Sequence, residues 1–272
     1  DCKKLNKSYL WLLFIITNNA FISHVLIVTA RYIQHPSTFM SLMKCIFHQT
    51  VFTFSAYLKR GDINVISVDW SEIAVRIDYL FVARQVPAVA RIVALTLEKI
   101  SDVIDLSKLH LIGHSIGAHI GAQIARNLNV TIPRITGLDP AYPLFYPSKC
   151  HISASDAKIV VALHTDPGVF GTPVNTGSVD FYANKGKIFQ PEMCSHDRAI
   201  VLFAEAVTHP KEFPSRKCSD FIQDDGVVYF GDHTPEDLSG EYCFTTNSMY
   251  PYGNEDYSTS ASECNANKVS RS

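Results

Sequence analysis

The stretch Lys108-Leu109-His110-Leu111-Ile112-Gly113-His114-Ser115-Ile116-Gly117-Ala118-His119-Ile120-Gly121-Ala122-Gln123-Ile124-Ala125 decides the fold. A short apolar run leads into Gly-x-Ser-x-Gly, and small and apolar residues with good helix propensity follow. A strand, a sharp turn and a helix give the pentad chemical meaning. The turn strains the backbone at the serine, so small residues must flank it if strand and helix are to approach each other. Its product is a hydroxyl held clear of a sheet, beside backbone N–H groups at a helix N-terminus. Ser115 is therefore a candidate nucleophile; a plain glycine-rich turn is the competing reading of the pentad alone.

Working outward, Val25-Leu26-Ile27-Val28 reads as a strand, whereas Arg31 to His48 carries no clean period. Asn64-Val65-Ile66-Ser67-Val68-Asp69 is β-branched and bounded by Gly61-Asp62, as a buried parallel strand would be. From Ile77 to Ile100 apolar residues recur at helical spacing, and Pro87 inside the run predicts a kink or two helices meeting there. Beyond the helix from Ile116 to about Leu128, Pro133–Pro140 and Lys158–His164 predict two more strands, and Val179–Tyr182 another. Asp197 to Val207 predicts a helix ended by His209-Pro210. Strands alternating with helices imply a mostly parallel sheet covered on both faces, an α/β architecture.

The 272 residues suffice for one large domain with its own core. A hydrophobic content of 47% with 18% charged residues is ordinary for a globular protein, and a net charge of −2 without a basic stripe argues against a nucleic-acid partner. Seven cysteines with no Cys-x-x-Cys pair give no zinc or thioredoxin-like signal. The sequons Asn6-Lys7-Ser8 and Asn129-Val130-Thr131 are compatible with secretion. Lys3-Lys4-Leu5-Asn6-Lys7 followed by the apolar run Tyr9–Ile16 reads as a signal-like segment over residues 1–20, with a buried strand or helix as the competing reading. A single α/β domain is expected over 21–252 and a disordered tail over 253–272.

A serine hydroxyl needs a base, and the base needs an orienting acid. In α/β-hydrolases the chain order is Ser, then Asp or Glu, then His, each partner standing at the carboxyl end of a strand or in the loop after it. Asp139 ends one strand and Asp166 follows the next; His196, His209 and His233 come later. Pattern alone leaves two acids and three bases open, and late histidines are as often surface or structural residues.

Gly113-His114-Ser115-Ile116-Gly117-Ala118-His119, Ile135-Thr136-Gly137-Leu138-Asp139-Pro140-Ala141, His164-Thr165-Asp166 and Cys194-Ser195-His196-Asp197-Arg198-Ala199 resemble the pancreatic-lipase-like family in order and spacing, as does Gly61–Ser71. The resemblance covers about residues 55–252. It implies an α/β-hydrolase fold, Ser115 as nucleophile, Asp139 as acid and His196 as base, with Asp166 the second choice of acid. Ile116 would donate its N–H to the oxyanion. The apolar residues Ile116, Ala141, Tyr142 and Phe145 would suit an acyl chain or belong to the core.

Departures from the family's pattern matter as much as the matches. The His-Gly-aromatic segment that supplies the second oxyanion donor is absent before the elbow; if His48 takes its place, Thr50 is the donor candidate, and if that strand is missing, activity is in doubt. Gln190-Pro191-Glu192-Met193-Cys194 runs straight into Ser195-His196 where triacylglycerol lipases carry a lid, and Pro167–Ser178 is short; both features resemble the phospholipase A1 branch and imply no interfacial activation. Cys194 thereby loses its lid partner, so the resemblance implies pairing with Cys218 or a free thiol. Of the residues around the family's calcium site only Asp156 matches, so no metal and no cofactor are expected. The resemblance further implies a secreted, extracellular esterase acting on phospholipid or glyceride at a lipid–water interface. With no C-terminal lipid-binding sandwich expected, no colipase partner is expected either. The rival reading is a non-catalytic binding or storage protein on the same fold, as yolk proteins are.

Overall fold

A computed structural model of the chain describes residues 11–15, 23–29, 53–61, 63–74, 78–146, 148–186, 193–219 and 226–254. Its strands are β1 (Trp11–Ile15), β2 (Ser23–Thr29), β3 (Ile63–Asp69), β4 (Leu109–His114), β5 (Arg134–Leu138), β6 (Ile159–His164), β7 (Val179–Ala183), β8 (Pro214–Lys217), β9 (Val228–Tyr229) and β10 (Gly240–Phe244). The helices are α1 (residues 53–60), α2 (Ser71–Ala74), α3 (Tyr79–Lys99), α4 (Ile116–Asn127) and α5 (Met193–Thr208).

Among the described residues the strands form one sheet in the order β1-β3-β2-β4-β5-β6-β7-β10-β8-β9. From β3 to β10 each neighbouring pair is parallel; β1, β8 and β9 pair antiparallel at the two edges. The chain steps from β2 to β3 in one direction, then skips back over β2 to β4 and continues the other way. Such a reversal opens a crevice outside the carboxyl ends of the strands, where open α/β sheets place their ligands. Trp11–Ile15, within the signal-like stretch, lies along β3 as an edge strand.

Alternation along the strands divides the core in two. Ile66, Val68, Leu109, Leu111, Ile135 and Val160 face α3 and α4, while Val65, Ile112, Leu138, Val161, Leu163 and Phe181 face α1 and α5. The second layer is thickened by Phe203, Phe213, Phe230 and Phe244, whose rings meet edge-on or stacked. Pro87 does not split its helix. α3 runs unbroken from the Asp78 cap, whose carboxylate accepts from the Phe81 N–H, because Val82, Val86, Val89, Ala90, Val93, Ala94 and Leu97 bury one stripe along its whole length.

The disulfide differs from the expected one. Cys218 is bonded to Cys243, not to Cys194. The reason is sheet pairing: β8 lies antiparallel to β10, with Cys243 opposite Arg216, which leaves the Cα atoms of Cys218 and Cys243 5.0 Å apart. Of the tail expected over 253–272, Gly253 is buried with its N–H donated to Glu205, and residues 255–272 lie outside the described residues, as does Thr50.

Candidate active site

β4 delivers Ser115 to the sheet rim at the start of α4, with φ 55° and ψ −122°. That left-handed backbone is strained for a residue with a side chain and persists only where its surroundings over-determine it. Here they do. The Ser115 N–H donates to the Leu138 carbonyl at 2.9 Å, and a Cβ on Gly113 would stand 2.2 Å from the Gly117 carbonyl oxygen. The glycine at 113 is thus what allows the helix to fold back over the strand. Ser115 occupies the cap position of α4 without making a side-chain capping bond, so its hydroxyl is left for other partners. Ile116, the first helical residue, presents its N–H among the unpaired donors of the helix N-terminus.

Asp139 ends the neighbouring strand β5, again at positive φ (44°), and is fully buried. One carboxylate oxygen accepts the N–H groups of Thr165 (2.8 Å) and Asp166 (3.1 Å); the other accepts Nδ1–H of His196 at 2.6 Å. This arrangement fixes the histidine tautomer, since the proton on Nδ1 leaves Nε2 as the basic nitrogen. Burial pulls the His196 ring toward neutrality, but the hydrogen bond and charge of Asp139, with Asp197 and Asp166 beyond, outweigh it and raise its pKa above the ordinary histidine value.

His114 completes the ring of contacts. Its Nε2–H donates to the backbone carbonyl of His196 at 3.1 Å, and the two imidazoles lie 4.5 Å apart. Burial, together with the nearby His196, pushes the His114 ring down to about 3, so it is a neutral donor. The His196 ring bonds to Asp139 through Nδ1, and no hydrogen bond joins it to Ser115 Oγ. Asp166 sits behind the pair. Asp139, Asp166 and His196 each bring one ligand-type atom within 4.8 Å of the others. Both Asp139 oxygens already accept N–H donors, one of them from the His196 ring. Burial, with the charge of Asp139, raises the Asp166 pKa.

The other candidates fall elsewhere. His209 is exposed, its Nδ1 beside Thr208 and Glu212, and His233 shares no bond with Asp139 or Asp166. Ala141 and Phe145 are core residues, Phe145 being stacked on the buried His119 at 3.9 Å; Tyr142 alone of that set is exposed, while Ile116 is half-buried. Three neighbours of the pair have no role assigned by the sequence: His114, bonded to the His196 carbonyl, Phe170 with its ring 5.6 Å from that of His196, and Gly171. A Cβ on Gly171 would come within 2.4 Å of the Asp139 carboxylate. The signal for these residues is spatial, because the strap 166–172 is folded onto the 139–142 turn by the Ala141–Gly171 bridge.

The parallel sheet, the elbow at Ser115 and the acid–histidine pair beside it define an α/β-hydrolase. Residues 25–193 match the family model described as Lipase, and the chain belongs to that family. It is similar to lipase member H of Danio rerio (38% identical, over 55% of this chain and 36% of that protein). It is also similar to pancreatic lipase-related protein 2 of Cavia porcellus (32%; 58% and 40%) and to a probable phospholipase A1, magnifin, of Vespa magnifica (35%; 57% and 52%). The matched stretch spans about a third to a half of the length of these relatives.

Proposed function

We propose that this protein is a secreted carboxylic-ester hydrolase acting on lipid esters, phospholipid or glyceride, through an acyl-enzyme on Ser115. His196 Nε2 accepts the Ser115 proton as the hydroxyl oxygen attacks the ester carbonyl, then returns that proton to the leaving alcohol. Asp139 holds the tautomer and stabilises the imidazolium. The Ile116 N–H faces the developing oxyanion, and Thr50, in the segment ahead of α1, is the candidate second donor. Water then attacks the acyl-enzyme by the same relay in reverse.

One observation carries this reading: a serine on a strained strand–helix elbow stands one strand from a fully buried carboxylate bonded to an imidazole at 2.6 Å. A storage protein has no need of that strain or of that buried pair. The family membership and the relatives named as lipases and a phospholipase A1 support lipid esters as the substrate class. A fluorophosphonate probe is expected to label the protein covalently at Ser115, and Ser115→Ala to abolish the label. Hydrolysis of a defined phosphatidylcholine beside a triglyceride, with Ser115→Ala as control, assigns the substrate. Absence of both labelling and hydrolysis in the folded protein would return the chain to the binding-protein class.

A further inference from the structure

A second histidine–aspartate pair lies outside the chemistry described above. His164, the last residue of β6, and Asp180 on β7 are both buried, and their Nε2 and Oδ1 atoms are 2.8 Å apart. The other ring nitrogen of His164 meets the Thr172 carbonyl oxygen at 3.0 Å. Asp180 also accepts the N–H groups of Thr176 at 3.0 Å and of Gly177 at 3.2 Å. The His164 ring is stacked on Tyr182, centroids 4.4 Å apart. One side-chain pair therefore grips the strap between β6 and β7 at residues 172, 176 and 177.

That strap is also what holds Asp139. Thr165 and Asp166 supply the two N–H donors on its carboxylate, Gly171 presses against it, and the Thr172 N–H donates to the Pro140 carbonyl at 2.8 Å. Thr172 is the joint: its N–H is fixed to the turn after Asp139, and its carbonyl to His164. We propose that His164 and Asp180 are positioning residues for the reaction, forming a buried latch that holds the strap, and through it the Asp139 carboxylate, square to His196. The inference rests on the role of Asp139 given above.

Each ring nitrogen of His164 faces an oxygen, Nε2 that of the Asp180 carboxylate and Nδ1 the Thr172 carbonyl, so a ring N–H of His164 is held in a buried hydrogen bond. Nitrogen-15 NMR of the wild-type protein is expected to show a slowly exchanging ring N–H signal for His164; a ring with no protected N–H overturns the latch. In Asp180→Asn the charge is removed at constant shape. With a soluble p-nitrophenyl ester, kcat is expected to fall about ten- to a hundredfold with KM within roughly twofold, the size of effect that a small misplacement of a catalytic group produces. The His196 ring, which also faces Asp166, Asp197 and His114, should titrate at lower pH in the variant, because it loses its close bond to Asp139. A folded Asp180→Asn protein whose His196 titrates as in wild type overturns the proposal, whether or not kcat has fallen. If the variant does not fold, the wild-type His164 signal decides. If the wild type hydrolyses no ester, the proposed function fails while both NMR readings still test the latch.

Discussion

The Nε2–H of His114 donates to the backbone carbonyl of His196 across 3.1 Å, joining the elbow to the first turn of α5. The residue before the proposed nucleophile thus holds the main chain of the proposed base. Burial, with His196 nearby, lowers the His114 pKa to about 3, and the bond to the His196 carbonyl places the proton of the neutral ring on Nε2. His114→Ala is expected to lower kcat by about ten- to a hundredfold while Ser115 still reacts with a fluorophosphonate, more slowly. Unchanged kcat on a soluble ester would show that the bond is dispensable.

Asp139 and Asp166 are separable by substitution. Asp139 is the carboxylate bonded to Nδ1 of His196, so Asp139→Asn is expected to lower kcat about 10⁴-fold, as loss of the correct tautomer does elsewhere. The Asp166 carboxylate accepts only the Phe170 N–H among the described residues, and Asp166→Asn should lower kcat less than about tenfold. The reverse order of losses would move the acid role to Asp166.

The pH dependence has a definite sign. His196 acts as a base only when neutral, and its pKa is raised. Activity should therefore fall as pH drops through a midpoint above about 6.5, the unperturbed histidine value. Asp197, whose carboxyl burial pushes up to about 6, titrates close by and adds a second proton to the lower part of the same limb. A kcat/KM profile flat down to pH 5 would exclude His196 as the base.

Gly171→Ala tests the strap directly. Its Cβ would overlap the Asp139 carboxylate, which can yield only by leaving the Thr165 and Asp166 amides. Overpacking of this kind destabilises by about 1–3 kcal/mol, and kcat should fall with it. Thermal melting and kcat, measured on the same preparation, check both.

The disulfide links a sheet edge to itself. Cys218→Ser removes a 25-residue closed loop, worth about 3–4 kcal/mol in the chain-entropy account. Cys194→Ser should leave the bond intact. Non-reducing peptide mapping should recover residues 218 and 243 in one species.

Much of the framework is legible along the chain because its causes are local. β-branched runs, the small residues around Ser115 and the turn-forming Asp-Pro at 139–140 predict β2 to β7 and the helix α4 within a residue or two, whereas the stretch after Pro210 reads as polar and irregular and yet supplies β8, β9 and β10. Pro87 misleads, because the buried stripe of α3 outweighs one missing hydrogen bond. Phe145 is undecidable as pocket or core until His119 is seen stacked on it.

By itself the sequence determined which chemistry stands at the end of each strand, since periodicity and turn composition act over a few residues. Only the tertiary structure decided that Asp139 meets His196, 57 positions away, that His114 holds its carbonyl from 82 positions away, and that Cys218 finds Cys243. Those choices follow from which strands lie side by side and in what register, a property of the packed sheet that no local stretch contains.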